Sequence, residues 1–303
     1  MKCRCCNGII MGLRDIVLIS RLKNVILSSI TVCVGAWVAA PSGIPTEFYQ
    51  NVILLMLAVA AFVAAGNIIN DIMDYESDLV NHPNRILPQG LITLAGAKKC
   101  VIGFSIFSLL CVLTYSSQIY QDTGTIPFLT ILIWSFAGLL IVTYEMGPST
   151  KKQGLVGNIA ISALVGLVIV FGATANQNSN YALIGYVSIT AFLINLSREI
   201  IKDCEDIEGD SERNTLPMRI GLENARMIGY VLALSAIVFA SIPYYLHVGG
   251  IRIGMLIWQA PTLLNVITLN GVLQSGDDYR AQKRLRIAML TGLFGFVASV
   301  TMI

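Results

Sequence analysis

The sequence predicts an all-α, polytopic membrane protein: about nine transmembrane helices around a central cavity, with cytoplasmic loops capping it. Three observations carry that expectation. The 303 residues are 55% hydrophobic and 13% charged, with a mean hydropathy of +0.72, a balance that excludes an ordinary soluble globular protein. Apolar runs recur along the whole chain, most of them near the ~20 residues that cross a hydrocarbon core. The basic residues are also one-sided. With the N-terminus inside, only Arg252 of the 20 Lys and Arg residues falls in an outer segment.

The spans follow in order. Residues 18–40 run out to a short loop at 41–50, and 51–70 return to a polar, acidic stretch. Residues 99–119 leave from Lys98 and Lys99, and 125–145 return to Lys151 and Lys152. Residues 154–175 run out to 176–180, and 181–201 return to a second acidic stretch. Residues 225–246 run out to 247–250, 251–274 return toward the Arg280–Arg286 cluster, and 284–303 leave the C-terminus outside. The outer loops carry little charge, so any polar chemistry is expected on the cytoplasmic face. Cys3, Cys5 and Cys6 cluster at the inner N-terminus, where a reducing compartment argues against disulfides and the spacing is poor for zinc.

The acidic stretches are copies of one pattern. Asn70-Asp-Ile-Met-Asp-Tyr-Glu-Ser-Asp78 holds Asp71, Asp74 and Asp78; Lys202-Asp-Cys-Glu-Asp-Ile-Glu-Gly-Asp210 holds Asp203, Asp206 and Asp210. The spacing is three then four in both, and the offset between the rows is 132 residues at every position. Positions i, i+3 and i+7 share a helix face, so each row projects its carboxylates one way. Close carboxylates repel unless cations sit among them, and hard divalent ions prefer oxygen ligands. Two facing rows would hold a pair of Mg²⁺ ions and, through them, a polyphosphate. Six of the chain's 18 acids lie in these rows, and acids at membrane depth are costly and usually functional. The bland alternative is a solvated helix end. An EF-hand is excluded by the absence of its alternating ligands and its Gly.

Neighbouring residues extend the candidate site. Asn70 lies one turn from Asp74, and Asn67 one turn from Asp71; either amide can add a neutral ligand, fix a carboxylate or join helices. Arg85, Lys151, Lys152, Lys202 and Arg219 all lie on the site's side, where they can neutralise phosphate or simply set topology. Tyr144, ending the fourth span, is an interfacial anchor or a ring face toward a developing carbocation. The polar loops at about 79–97 and 211–222 follow the rows and are read as caps over the site. The rows follow the second and sixth spans, so the chain reads as one transmembrane domain, 1–303, with two pseudo-repeats, roughly 1–145 and 146–303.

These motifs resemble the paired signatures of the UbiA-type intramembrane prenyltransferases, and the likeness covers nearly the whole chain. Asn81-His-Pro-Asn-Arg-Ile-Leu-Pro-Gln-Gly90 and Ser197-Arg-Glu-Ile-Ile-Lys-Asp-Cys-Glu-Asp-Ile-Glu-Gly-Asp210 resemble the family's archaeal digeranylgeranylglyceryl phosphate synthase branch. Arg21-Leu-Lys-Asn24 resembles an Arg-x-x-Asn element of the family's first helix, though prolines usual after this Arg and after Arg85 are absent. The resemblance implies an isoprenyl diphosphate donor held through two Mg²⁺ ions by Asn70, Asp71, Asp74, Asp78, Asp203, Asp206 and Asp210. It implies substrate contacts from Asn24, Asn67, Arg85, Tyr144, Lys151, Lys152, Lys202 and Arg219. The implied reaction moves a geranylgeranyl group onto the free hydroxyl of geranylgeranylglyceryl phosphate. An aromatic acceptor, a quinone precursor or porphyrin, is the alternative. The expected partners are the donor, a lipid-like acceptor and membrane lipids, with no nucleic acid and no obligate protein. A cation transporter is disfavoured because the outer half has only Glu47 and Asp122 as acids.

Overall fold

The computed structural model describes residues 12–40, 43, 46–145, 153–176, 179–207 and 214–303. Lys151, Lys152, Asp210 and the N-terminal cysteines lie outside the described residues. Among the described residues all regular structure is helical: α1 (Leu13–Ile19), α2 (Leu22–Ala39), α3 (Tyr49–Met73), α4 (Tyr75–Asn81), α5 (Leu94–Thr123), α6 (Phe128–Glu145) and α7 (Leu155–Ala173). Then come α8 (Tyr181–Glu205), α9 (Leu216–Ile220), α10 (Leu222–Tyr245), α11 (Ala260–Ile267), α12 (Leu269–Gln274) and α13 (Asp278–Thr301). Nine segments among the described residues are long and apolar enough to cross a membrane, and the protein is an integral membrane protein.

Two expected spans are built differently from the hydropathy reading. The first does not begin as one helix at residue 18: a corner at Ser20–Arg21 separates α1 from α2, and Arg21 sits at φ +54°. The eighth is a composite of a 3-10 helix at Ile253–Gln259 followed by α11 and α12, broken at Thr268. A window of hydropathy averages over such breaks.

The chain forms two compact units. Residues 1–30 and 53–126 belong to the first, and residues 31–52 and 127–303 to the second. In the first unit, Ile68 of α3, Ala97 and Cys100 of α5 and Ile19 of α1 form a buried cluster with Leu87 and Ile92. Those last two come from the segment after α4, so apolar burial pins the loop that follows the first acidic row. The Ser108 Oγ of α5 donates to the Ala58 carbonyl of α3 at 2.8 Å, satisfying a hydroxyl that would otherwise be unpaired in hydrocarbon. α5 starts where the Thr93 Oγ1 accepts the Gly96 N–H at 3.0 Å. It ends at Gly124, whose φ of +68° is the left-handed cap glycine adopts freely.

In the second unit α8 is the central helix, packed by α7, α10 and α13. Ile184, Val187, Ile194, Ile200 and Ile201 are almost fully buried around its circumference, the pattern of a helix enclosed by others. The Arg226 guanidinium of α10 donates to both Asp278 oxygens of α13 at 2.8 and 2.6 Å, fixing the starts of these helices.

Candidate active site

The first acidic row is carried by the polar end of α3 and by α4. Asp74 stands at the joint between them, but the helical hydrogen bonding runs through it: its N–H donates to the Asn70 carbonyl at 2.9 Å, and the Asp78 N–H donates to the Asp74 carbonyl at 2.8 Å. The expected spacing along one face therefore survives the joint. Asp71 and Asp78 are buried, at 8% and 3% exposure, and buried carboxylates require partners.

Those partners are arginines of the same unit. Arg21 donates through Nη2 to Asp71 and, at 3.3 Å, to the Asn70 Oδ1. Arg85 donates through Nη1 to both Asp78 oxygens at 2.7 and 2.6 Å. Asn70 turns its amide N–H to Asp74 Oδ2 at 3.0 Å, so its two ends join Arg21 to the middle of the row. Asn67 donates to the Ser20 carbonyl at 2.8 Å, clamping the α1–α2 corner against α3. A left-handed conformation at a non-glycine residue costs roughly 1–3 kcal/mol. At Arg21 the Asn67 clamp and the Asp71 pair hold it in place. Asn24 is exposed on the first turn of α2, and its backbone N–H donates to the Arg21 carbonyl at 2.8 Å.

The second row begins on α8 in the other unit. Asp203 is buried at 6% exposure, and its Oδ2 accepts a 2.7 Å hydrogen bond from the Asn158 amide of α7. The Asn158 carbonyl in turn accepts from Ser162 Oγ at 2.7 Å, and Ser162 Oγ accepts from Asn195 of α8 at 3.1 Å. A polar seam thus descends between two otherwise apolar helices. Asp206 caps the end of α8. Lys202 is exposed, with Nζ 4.0 Å from Glu199, and Glu199 also pairs with Arg198. Arg219 is exposed on α9 and donates to Asn214 at 2.8 Å; Tyr144 is half-buried on the last turn of α6.

Reasoning from sequence did not single out Asn158, Ser162, Asn195 or the Arg198–Glu199 pair, and it quoted Arg21 only within a motif. The available signal for Asn158 and Asn195 is an amide inside an apolar run, which is ambiguous between helix glue and a site. Among the described residues no three His, Cys, Asp or Glu side chains converge on a metal position. The donor set nevertheless fits a hard divalent cation: the oxygens it offers are carboxylate and amide, and the two buried carboxylates of the first row already attract cations in the form of guanidinium groups.

The UbiA prenyltransferase family description matches residues 28–299. A digeranylgeranylglyceryl phosphate synthase of Thermococcus kodakarensis is 31% identical, over 95% of this chain and 98% of that protein. A solved structure of a digeranylgeranylglyceryl phosphate synthase in membranes superposes with a TM-score of 0.77 at 28% identity, covering 96% of this chain and 99% of that one. A UbiA homologue from Archaeoglobus fulgidus, bound to GPP and Mg²⁺, shares the fold, with a TM-score of 0.67 at 16% identity over 95% of this chain and all of that one. The chain belongs to the UbiA prenyltransferase family.

Proposed function

We propose that this enzyme transfers a geranylgeranyl group from geranylgeranyl diphosphate to the free hydroxyl of geranylgeranylglyceryl phosphate, forming the second ether bond of an archaeal lipid. The observation that carries the reading is the pair of equally spaced acidic rows, set in a chain that matches synthases of this name along almost its whole length. Asn70, Asp71, Asp74 and Asp78, with Asp203, Asp206 and Asp210 of the second row, would hold Mg²⁺; that a homologue from Archaeoglobus fulgidus is bound to GPP and Mg²⁺ supports a metal-held prenyl diphosphate. Bound there, Mg²⁺ offsets the negative charge that develops on the departing diphosphate.

The chain's own residues do the rest. Arg85, Lys151, Lys152, Lys202 and Arg219 bind the diphosphate oxygens, and Asn24 and Asn67 support that end of the substrate. The apolar walls of the spans take up the isoprenoid tail and exclude water, so the allylic centre meets the acceptor before solvent. Tyr144 offers a ring face to the developing cation. The donor C1–O bond breaks, with its electron pair leaving on the diphosphate. The acceptor hydroxyl oxygen bonds to C1, and its proton passes to the diphosphate or to water. The site faces the cytoplasm of the cell membrane, with the N-terminus inside and residue 303 outside, as the basic residues indicate.

Purified protein given labelled geranylgeranyl diphosphate should prenylate geranylgeranylglyceryl phosphate, lose that activity to a chelator and regain it with Mg²⁺. Asp74→Ala and Asp206→Ala should each abolish turnover while the protein stays folded. Transfer to an aromatic acceptor but not to the glyceryl phosphate would overturn the acceptor, and near-wild-type turnover in both variants would overturn the metal assignment.

A further inference from the structure

We infer that Arg21 and Arg85 act as internal counter-cations of the first acidic row, occupying Asp71 and Asp78 until a divalent cation displaces them, after which the freed guanidinium groups bind the diphosphate. This rests on the magnesium reading above and adds to it a competition built into the chain. Three observations carry it. Asp71 and Asp78, the two ends of the row, are buried, and each is paired with a different arginine of its own unit. Both arginine side chains remain about one-third exposed, at 35% and 36%, so their heads lie at the solvent edge while the carboxylates lie inside. Arg21 reaches Asp71 from a left-handed backbone that a non-glycine residue adopts only when its surroundings hold it there.

The physical logic is an exchange of partners. A buried carboxylate left without a cation is strongly disfavoured, so the row needs a positive charge whether or not metal is present. The arginines supply it here, Arg21 through Nη2 to Asp71 and Arg85 through Nη1 to both Asp78 oxygens. A hard divalent ion binds the same oxygens more strongly but must first break the pair. The released guanidinium, which cannot lose its proton, then pairs with phosphate in the fork geometry that suits it. Metal and diphosphate binding are thereby coupled, because each one favours the arrangement the other requires.

The test is Mg²⁺-dependent thermal unfolding of the metal-stripped full chain in micelles, with and without inorganic diphosphate, so that turnover is not the readout. In Arg21→Gln and Arg85→Gln the Mg²⁺ midpoint without diphosphate should fall roughly fivefold, the scale of one partly exposed charge pair. The further fall that diphosphate produces in the wild type should shrink in both. Lys98→Gln removes an exposed cation from the same unit and should leave both quantities unchanged, which separates exchange from a general charge effect. Arg85→Lys provides a folded variant if Arg21→Gln loosens the α1–α2 corner; it keeps the charge, loses the fork and should retain less of the diphosphate coupling. Unchanged Mg²⁺ midpoints in the arginine variants, or an equal shift in Lys98→Gln, would overturn the exchange. If Mg²⁺ stabilises the wild type and Asp78→Asn abolishes this while the arginine variants titrate normally, the metal reading stands and the exchange alone falls. No Mg²⁺ stabilisation of the wild type would remove both.

Discussion

Asn158 donates to Asp203 as a neutral amide, whereas Asp71 and Asp78 are paired with arginines. Asn158→Ala would remove a 2.7 Å hydrogen bond to a buried carboxylate, a loss of about 1–3 kcal/mol. If the amide only joins helices, that loss appears in thermal stability alone. If it also orients Asp203 for metal, the Mg²⁺ concentration for half-maximal turnover should rise by roughly tenfold. Asn158→Asp should lower the metal-free thermal stability further, because it sets like charges together. The acids themselves were legible in the sequence, because a repeated three-and-four spacing has a geometric meaning on a helix. Their partners were not. Nothing near Arg21 announces a left-handed corner, since glycine or asparagine is the usual signal and an arginine stands there.

The helices were legible as a set, and each expected span has a counterpart among the nine candidate segments. Their breaks and close approaches were not, because hydropathy reports burial in lipid and carries no information on which backbone meets which. The crossing of α2 and α7 in the second unit is such a case. A Cβ on Gly35 would lie 2.2 Å from the Ile169 carbonyl oxygen, and one on Gly172 would lie 2.1 Å from the Val32 carbonyl oxygen. The contact is reciprocal, glycine to backbone in both directions, which lets two helices approach without side chains between them. Gly35→Ala and Gly172→Ala should therefore each cost about 1–3 kcal/mol through forced separation. Gly185 on α8 has open space where its Cβ would lie, so Gly185→Ala should be neutral or stabilising by roughly 0.5–1 kcal/mol. Thermal unfolding of the three variants in micelles separates these outcomes, and an equal response at all three positions would remove the role assigned to the crossing.

At the scale of the molecule, orientation rests on charge alone, and it decides which compartment the chemistry serves. Only Arg252 lies on the outer side when the N-terminus is inside, and it sits just before the composite eighth span. That span changes from 3-10 to α-helix at Gln259–Ala260, breaks at Thr268 and carries a proline at residue 261, so it is the crossing whose passage through the bilayer most needs testing. If residues 253–274 cross, a green fluorescent protein fused after Gly276 in a bacterial host should fluoresce and alkaline phosphatase at the same point should be inactive. After Ile303 the pattern should invert, because α13 returns the chain to the outside. If the eighth span failed to cross, residue 276 would lie outside, with Arg280, Lys283, Arg284 and Arg286 beside it, against the positive-inside rule. Fluorescence at both fusion points would mean that α13 does not traverse. Phosphatase activity after Gly276 would move that basic cluster to the outer face and undo the orientation on which the cytoplasmic placement of both acidic rows depends.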